Sequence, residues 1–121
     1  MNEKNGALNL YGDPAFQNKV SNQAVECTEI AYDLQAANGN VGGQLTIIPA
    51  PGSPDGLVGW PTSLGPARGN YHSVYVNGDL IFDPRYDANG PIPRSHWETL
   101  VNQLNPGCQI DFDNILPTQP S

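Results

Sequence analysis

The chain has 121 residues, a length that fits one domain and leaves no room for a second. Its 5 Lys and Arg residues against 12 Asp and Glu give a formal net charge of −7, so a phosphate backbone would be repelled and we expect no nucleic-acid partner. No apolar run approaches the roughly 18 residues of a membrane span. Residues 1–6 lack the basic start and apolar stretch of a signal peptide. We therefore expect no membrane partner and no signal peptide in this chain.

Both ends of the chain are polar. Residues 1–20 carry two scattered aromatic side chains, Tyr11 and Phe16, and fit either a short helical lead-in or a linker remnant. Residues 116–121 contain two prolines and predict a loose C-terminal tail. The remaining residues, 21–115, form the predicted domain. With 13 Gly and 12 Pro in the chain, this domain should be rich in turns and have a small core.

A helix is predicted over residues 22–37, where apolar residues recur at spacings of three and four and share one face. Ser21 and Asn22 are candidates for its N-cap, and Asn38-Gly39 provides a stop signal. The apolar stripe consists of Ala24, Cys27, Ala31 and Leu34. Cys27 would then lie about one turn into the helix, because an α-helix has about 3.6 residues per turn.

The middle of the chain predicts a strand followed by a loop. Residues 44–48 form a short β-branched run that predicts the strand. Residues 49–70 hold five prolines and predict a long surface loop, which in a compact domain is usually functional or mobile. The loop carries Trp60, which either caps a substrate groove or anchors the loop.

Residues 71–83 predict a β-hairpin, because Asn77-Gly78 separates two β-rich runs and is typical of a two-residue type I′ turn. In that register the numbers of opposed residues sum to 155, so His72 lies directly opposite Asp83. Directly opposed residues share one face of the sheet, with Cβ atoms about 5 Å apart. The two side chains would therefore lie side by side at the open end of the hairpin.

The C-terminal part of the chain predicts a helix and a strand. The helix covers residues 95–104, since Ser95 and Glu98 have the spacing of a capping box and Pro106-Gly107 would end it. Apolar and polar residues alternate over residues 108–112, which predicts a last strand.

Three residues of this arrangement could form an activated nucleophile. Backbone N–H groups near a helix N-terminus favour a thiolate at Cys27 and can donate to an oxyanion. His72 can take the thiol proton, and the Asp83 carboxylate can hold one imidazole nitrogen and set the tautomer of the other. Taken singly, His72 and Asp83 fit a polar cross-strand pair, and Cys27 fits a small core residue. Together they have the order of a nucleophile, a base and an orienting carboxylate.

Four segments of the sequence resemble the papain-fold toxin domains of bacterial polymorphic toxin systems. They are Gly69-Asn70-Tyr71-His72, Val76-Asn77-Gly78, Ile81-Phe82-Asp83, and Ile92-Pro93 with Trp97 four residues on. Cys27, with Thr28 and Ala31 on its helix, fits the place of the nucleophile in that family. The resemblance covers roughly residues 20–105. It implies a minimal papain-like α+β fold, with an N-terminal nucleophile helix packed on a small antiparallel β-sheet and with Cys27, His72 and Asp83 as the triad.

The resemblance also implies an activity. The chain would be a cysteine-dependent hydrolase, a protease or glutamine deamidase that needs no cofactor and acts as a toxin on a target-cell protein. A transglutaminase would use the same triad. The family further implies a monomer delivered by a toxin-secretion system to the target-cell cytosol, and a cognate immunity protein that could meet Asp111 and Asp113. Two alternatives stay open. One is a peptidoglycan amidase related to papain, although Glu26-Cys27-Thr28 replaces its usual Asp-Cys-Ser, and the other is a binding module without turnover.

Further residues are candidates for parts of such a site. Gln23, about one turn before Cys27, and Asn22 are oxyanion candidates, although neither is a clear equivalent of the papain oxyanion glutamine. Trp60 and Tyr71 are candidates for a substrate groove.

The remaining His, Trp and Cys residues have simpler explanations. His96 is best explained by the predicted capping box, and Trp97 by the core. A zinc site would have to combine Cys27, His72, His96 and Cys108 without any motif spacing, so we expect no metal. A disulfide between Cys27 and Cys108 stays open.

Overall fold

The computed structural model describes residues 4–113 and 115–116, and in this part of the chain the secondary structure consists of four α-helices and seven β-strands. The helices are α1 (Lys4–Tyr11), α2 (Pro14–Ser21), α3 (Cys27–Ala37) and α4 (Arg94–Leu104). The strands are β1 (Gly43–Ile47), β2 (Val58–Trp60), β3 (Ala67–Gly69), β4 (His72–Asn77), β5 (Leu80–Phe82), β6 (Ile92–Pro93) and β7 (Ile115–Leu116). Among the described residues, no helix combines the length and the apolar character needed to cross a membrane.

The strands form a five-stranded sheet of order β6-β5-β4-β1-β7, with every neighbouring pair antiparallel, and a separate β2–β3 hairpin. The α+β class predicted from the sequence is confirmed. Strand β4 is buried over its first five residues, because helices and the second hairpin cover both faces of the sheet. Side chains on one face pack with α4 and β2, and those on the other face pack with α1, α2 and α3.

The first described residues form two helices that share a core with the sheet. Ala7, Tyr11 and Phe16 are buried in one cluster with Leu34 of α3 and Phe82 of β5. Helix α1 crosses α3 closely at Gly6, where an added Cβ would clash with the Ala37 carbonyl oxygen. The described part of residues 1–20 is therefore helical and packed against the rest of the domain.

Helix α3 begins at Cys27, so the start predicted at residue 22 was wrong. Ser21 is the last residue of α2, and the Asn22 side chain accepts a hydrogen bond from the Ala24 N–H at 3.0 Å. Asx turns of this kind compete with helix, so residues 22–26 form a turn between α2 and α3. Glu26 therefore takes the N-cap position, and Cys27 is the first residue of the helix.

The β4–β5 hairpin exists, but its predicted register was wrong by two residues. Asn77 pairs with Leu80 and Val76 with Ile81, so the turn is Gly78-Asp79. Gly78 takes a φ of 60° at the first turn position while Asp79 at the second has no positive φ, which fits a type II′ turn rather than type I′. Since side chains alternate with a period of two, a shift of two residues keeps His72 and Asp83 on the same face. They become diagonal neighbours instead of direct partners.

Residues 49–70 are not one irregular loop, because they contain the β2–β3 hairpin. The Asn105 side chain holds the outer edge of β2, accepting from the Gly59 N–H at 2.9 Å and donating to the Gly59 carbonyl at 3.0 Å. This long-range pairing anchors a segment whose prolines and glycines predicted irregular backbone.

The C-terminal elements also differ in detail from the prediction. The capping box does not form, because α4 begins at Arg94, whose Nε donates to Glu98 at 2.7 Å. The last strand is β7, paired with β1, rather than residues 108–112, which have no regular structure. Residues 117–121 of the expected tail lie outside the described residues.

Candidate active site

Cys27 is positioned by the packing of α3 on the sheet. Ile30, Ala31 and Leu34 are buried along the helix, and its N-terminus faces the start of β4. The half-buried Cys27 sulfur accepts a hydrogen bond from the Ser73 backbone N–H at 3.3 Å. Glu26 makes no side-chain cap, and the Cys27 N–H, at the first helical position, has no acceptor within the helix. The thiol and an N–H donor that needs no acceptor in the helix therefore belong to the same residue.

His72 is the first residue of β4 and is 3% exposed. Its Nε2 lies 3.2 Å from Asp83 Oδ2. The Trp60 indole is stacked on the imidazole, with ring centroids 4.6 Å apart and 4° between the planes. Because Nε2 is engaged by Asp83, Nδ1 is the nitrogen left to face the Cys27 sulfur.

Asp83 follows β5 directly and is 5% exposed. The oxygen that contacts His72 also accepts a hydrogen bond from Trp97 Nε1 at 3.3 Å. Trp97 belongs to the core, as predicted, and is 0% exposed. Its N–H supplies a second partner to a carboxylate that would otherwise be costly to bury.

The electrostatics of this cluster favour an ion pair between the thiol and the imidazole. Burial alone lowers the pKa of His72, but the charge and hydrogen bond of Asp83 and the contact with Cys27 outweigh it and raise that pKa to about 9. Burial alone raises the pKa of Cys27, but its hydrogen bond with His72, the imidazolium charge, the Ser73 N–H and the Arg85 charge outweigh it and lower that pKa. Both shifts favour a thiolate beside an imidazolium.

Arg85 joins the Asp83 segment to the turn in front of α3. Its guanidinium donates to three backbone carbonyls, those of Val20 at 3.0 Å, Asn22 at 2.9 Å and Val25 at 2.7 Å. Carbonyls at a helix end and in a turn need such partners, and the planar guanidinium fork can serve several at once. The turn that precedes Cys27 is therefore fixed by a residue two positions after Asp83.

A groove of about 820 Å³ opens over Cys27 and His72. Both groove candidates line it, Trp60 through the ring stacked on His72 and Tyr71 through a hydroxyl that donates to Glu26 Oε2 at 3.3 Å. One wall is residues 62–67, at the tip of the β2–β3 hairpin, where Leu64 is 92% exposed. The groove is open enough for an extended chain or a protruding side chain to reach the sulfur.

The two oxyanion candidates have different environments. The Asn22 amide oxygen is engaged in the turn described above, which is a structural role. Gln23 is exposed and lines the groove, but it lies in the turn and not one helical turn before Cys27.

The remaining candidates lie apart from this cluster. His96 is exposed on α4, and Cys27 and Cys108 are both free thiols. Within residues 4–113 and 115–116, no group of three or more His, Cys, Asp or Glu side chains could hold a metal ion.

Sequence reasoning missed three contributors to the site. The hydrogen bonds of the Ser73 N–H and of the Trp97 indole N–H could not be predicted from the sequence, because they depend on the tertiary arrangement. Arg85 had a weak signal, since it is the single Lys or Arg between Arg68 and Arg94 and follows Asp83 closely.

The chain was compared with models of protein families, with curated proteins and with solved structures, and it matches none of them. What the site can do chemically therefore follows from its own geometry.

Proposed function

We propose that the protein is a papain-like cysteine hydrolase that attacks a carboxamide or peptide bond, with Cys27 as nucleophile, His72 as base and Asp83 as the residue that orients the base. The observation that carries the proposal is the buried His72–Asp83 pair at 3.2 Å, which meets a thiol of lowered pKa at the N-terminus of a helix, under an open groove. Perturbed pKa values of coupled groups in a cleft are typical of catalytic sites.

The reaction begins when His72 holds the Cys27 proton and the thiolate attacks the substrate carbonyl carbon. The carbonyl oxygen becomes an oxyanion that the Cys27 N–H can stabilise. The intermediate collapses as the leaving amine takes the proton from His72, which leaves a thioester on Cys27. His72 then takes a proton from water, the hydroxide attacks the thioester, and the proton passes to the released thiolate.

The leaving group decides the name of the activity. A main-chain amine makes the enzyme a protease, and ammonia from a glutamine side chain makes it a deamidase. If a second amine replaces water, the product is that of a transglutaminase. The open groove favours a flexible segment or a protruding side chain, so we propose a protease or glutamine deamidase of a protein target.

The biological setting is proposed from the resemblance to polymorphic toxin domains. The chain acts as an effector in the target-cell cytosol after delivery by a toxin-secretion system, works as a monomer, and has an immunity protein in the producing cell. The exposed Asp113 and Asp111 offer negative charge to a basic inhibitor.

Expression in a bacterial or eukaryotic cytosol tests this function. The wild-type chain should slow growth, and Cys27→Ala should relieve the effect, whereas Cys108→Ala should not. Mass spectrometry of cell proteins should then find either new protein N-termini or conversion of glutamine to glutamate, present with wild type and absent with Cys27→Ala. Equal toxicity of wild type and Cys27→Ala would refute the proposal.

A further inference from the structure

We propose that the Tyr71 hydroxyl is the second donor to the oxyanion, acting together with the backbone N–H of Cys27. The inference rests on the proposed function, because an oxyanion forms only if the Cys27 thiolate attacks a carbonyl. It assigns a catalytic residue to a part of the site where the sequence offered Gln23 and Asn22.

Tyr71 comes directly before His72, so its backbone is fixed by the start of β4. Its hydroxyl lies 3.3 Å from the carboxylate of Glu26, the N-cap residue of α3. The phenol oxygen is therefore held near the first turn of the helix, where the Cys27 N–H has no acceptor within the helix. Tyr71 and Cys27 also line the same groove.

The hydroxyl must keep its proton to act as a donor. Burial, the negative charge of Cys27 and the charge and hydrogen bond of Glu26 raise the pKa of Tyr71, and together they outweigh an opposite effect of Thr28. Tyr71 therefore stays a neutral phenol at least over the pH range in which an ordinary tyrosine, with a pKa of about 10, keeps its proton. A phenol already held beside the N-cap residue of α3 costs little reorganisation when charge develops at the helix N-terminus.

The contact with Glu26 also fits this role. At 3.3 Å the hydrogen bond is long for an O–H···O contact. Because Glu26 is exposed, water can solvate its carboxylate once the hydroxyl turns to the oxyanion. In the resting site Glu26 thus holds the donor in place, and the developing oxyanion competes with it for the same proton.

Two reagents separate an oxyanion donor from a residue that merely supports the nucleophile. p-Nitrophenyl acetate acylates a thiolate through a tetrahedral oxyanion, whereas iodoacetamide alkylates it by direct displacement and forms no oxyanion. Both rates should be measured on Cys27 in a Cys108→Ala background, with Tyr71→Phe as the variant and Tyr32→Phe as the matched control. Tyr71→Phe should slow acylation by on the order of 10²-fold and leave alkylation unchanged, whereas Tyr32→Phe should change neither rate.

Three outcomes would overturn the inference. If Tyr71→Phe acylates as fast as the control, the hydroxyl is not a donor. If it slows both reactions equally, Tyr71 supports the nucleophile and not the oxyanion. If Gln23→Ala loses acylation while Tyr71→Phe keeps it, the second donor is Gln23. In each of these cases Cys27 remains reactive, so the proposed function stands. A Cys27 that reacts with both reagents no faster than an ordinary thiol refutes the proposed function and the inference with it.

Discussion

Trp60 and His72 are stacked face to face, with 4.6 Å between their ring centroids. The indole covers one face of the imidazole and, as an electron-rich ring, favours its protonated form. Strand β2 thus supports a residue of β4 although the two strands belong to different sheets. The stack also places an intrinsic fluorophore on the proposed catalytic base.

The Trp60 emission should report the protonation of His72. A protonated imidazole in contact with indole quenches its fluorescence, so the emission should rise as His72 loses its proton. The midpoint should lie near pH 9, because Asp83 and Cys27 raise the pKa of His72 to about 9. Trp60→Phe should lose most of the pH-dependent change while the Trp97 emission remains. A midpoint near the ordinary histidine value of about 6.5 would show that the imidazolium is not stabilised.

Cys27 should alkylate faster than Cys108 at about pH 6, where an ordinary thiol with a pKa near 8.5 is almost fully protonated. The lowered pKa of Cys27 gives it a larger thiolate fraction than an ordinary thiol has at that pH, because the His72 hydrogen bond and charge and the Ser73 N–H favour the anion. The measurement is iodoacetamide labelling against pH, with each cysteine quantified by peptide mapping. His72→Ala should remove the low-pH reactivity. Asp83→Asn should keep the fold and reduce turnover by up to about 10⁴-fold, by analogy with serine triads.

Two results of the labelling experiment would be decisive. Faster labelling of Cys108 than of Cys27 at that pH would mean that the nucleophile is misassigned. If neither cysteine labels, the same experiment after proteolytic cleavage within residues 62–67 shows whether this wall covers a reactive Cys27.

Stability against pH should distinguish the ion pair from two independent groups. His72 binds its proton more tightly when folded, so its contribution is complete below about pH 6.5 and is lost as the pH rises through about 9. Cys27 has the opposite sign, because its pKa is lowered by folding and its contribution appears as the pH rises. In the pH range where the contributions of His72 and Cys27 overlap, the free energy of unfolding of the wild type should change little with pH. Cys27→Ala should decline more steeply above about pH 6.5, as measured by urea unfolding, and a parallel decline of both proteins would contradict the pairing.

Arg85 should act on both the fold and the nucleophile. Arg85→Met leaves the carbonyls of Val20, Asn22 and Val25 without their donor and removes a positive charge near Cys27. The free energy of unfolding should fall by on the order of 2 kcal/mol, and the low-pH labelling of Cys27 should shift to higher pH. Arg85→Lys keeps the charge without the planar fork. It should therefore keep most of the labelling profile of Cys27 but lose most of the free energy of unfolding that Arg85 contributes. If Arg85→Met leaves both measurements unchanged, the guanidinium is not a positioning group.

Trp97→Phe should test the indole hydrogen bond to Asp83. Phenylalanine keeps most of the packing but leaves the carboxylate without one donor, at a cost of about 1–3 kcal/mol in stability. With fewer donors, Asp83 should hold the His72 proton more tightly, so the midpoint of the Trp60 fluorescence titration should rise. Trp60 is the single remaining tryptophan in this variant, which makes the readout clean. An unchanged midpoint would instead indicate that Trp97 acts only by packing.

The His72–Asp83 contact was predictable because it depends on the side-chain period of a strand and not on the turn. The Asn77-Gly78 pair led to the wrong predicted register, because Gly78 also suits the first position of the turn that forms. An error of two residues preserved the face, and the residual offset lies within reach of two polar side chains. An error of one residue would have placed Asp83 on the opposite face.

The position of Cys27 in its helix depended on a competition between helix and turn in the preceding residues, which the sequence alone does not decide. The apolar spacing from Ala24 onwards continues through residues that form a turn, because the Asn22 side chain and the Arg85 guanidinium stabilise that turn. Arg85 is 60 residues away from Val25 in sequence, and helical periodicity contains no information about such a contact. The same limit applies to the β2–β3 hairpin, which Asn105 holds from the far end of α4.

The N-terminal helices determine how far the chain can be shortened. Tyr11 lies against Phe82, with 6.3 Å between ring centroids, and Phe82 directly precedes Asp83. A version trimmed to start at residue 21 would expose the apolar faces of Leu34, Tyr75 and Phe82, which these helices now cover. Such a fragment would self-associate through that surface. The segment that carries Asp83 would also lose the packing of Tyr11 on Phe82. The smallest autonomous unit that can present the site therefore includes both helices, although neither contributes a reactive group.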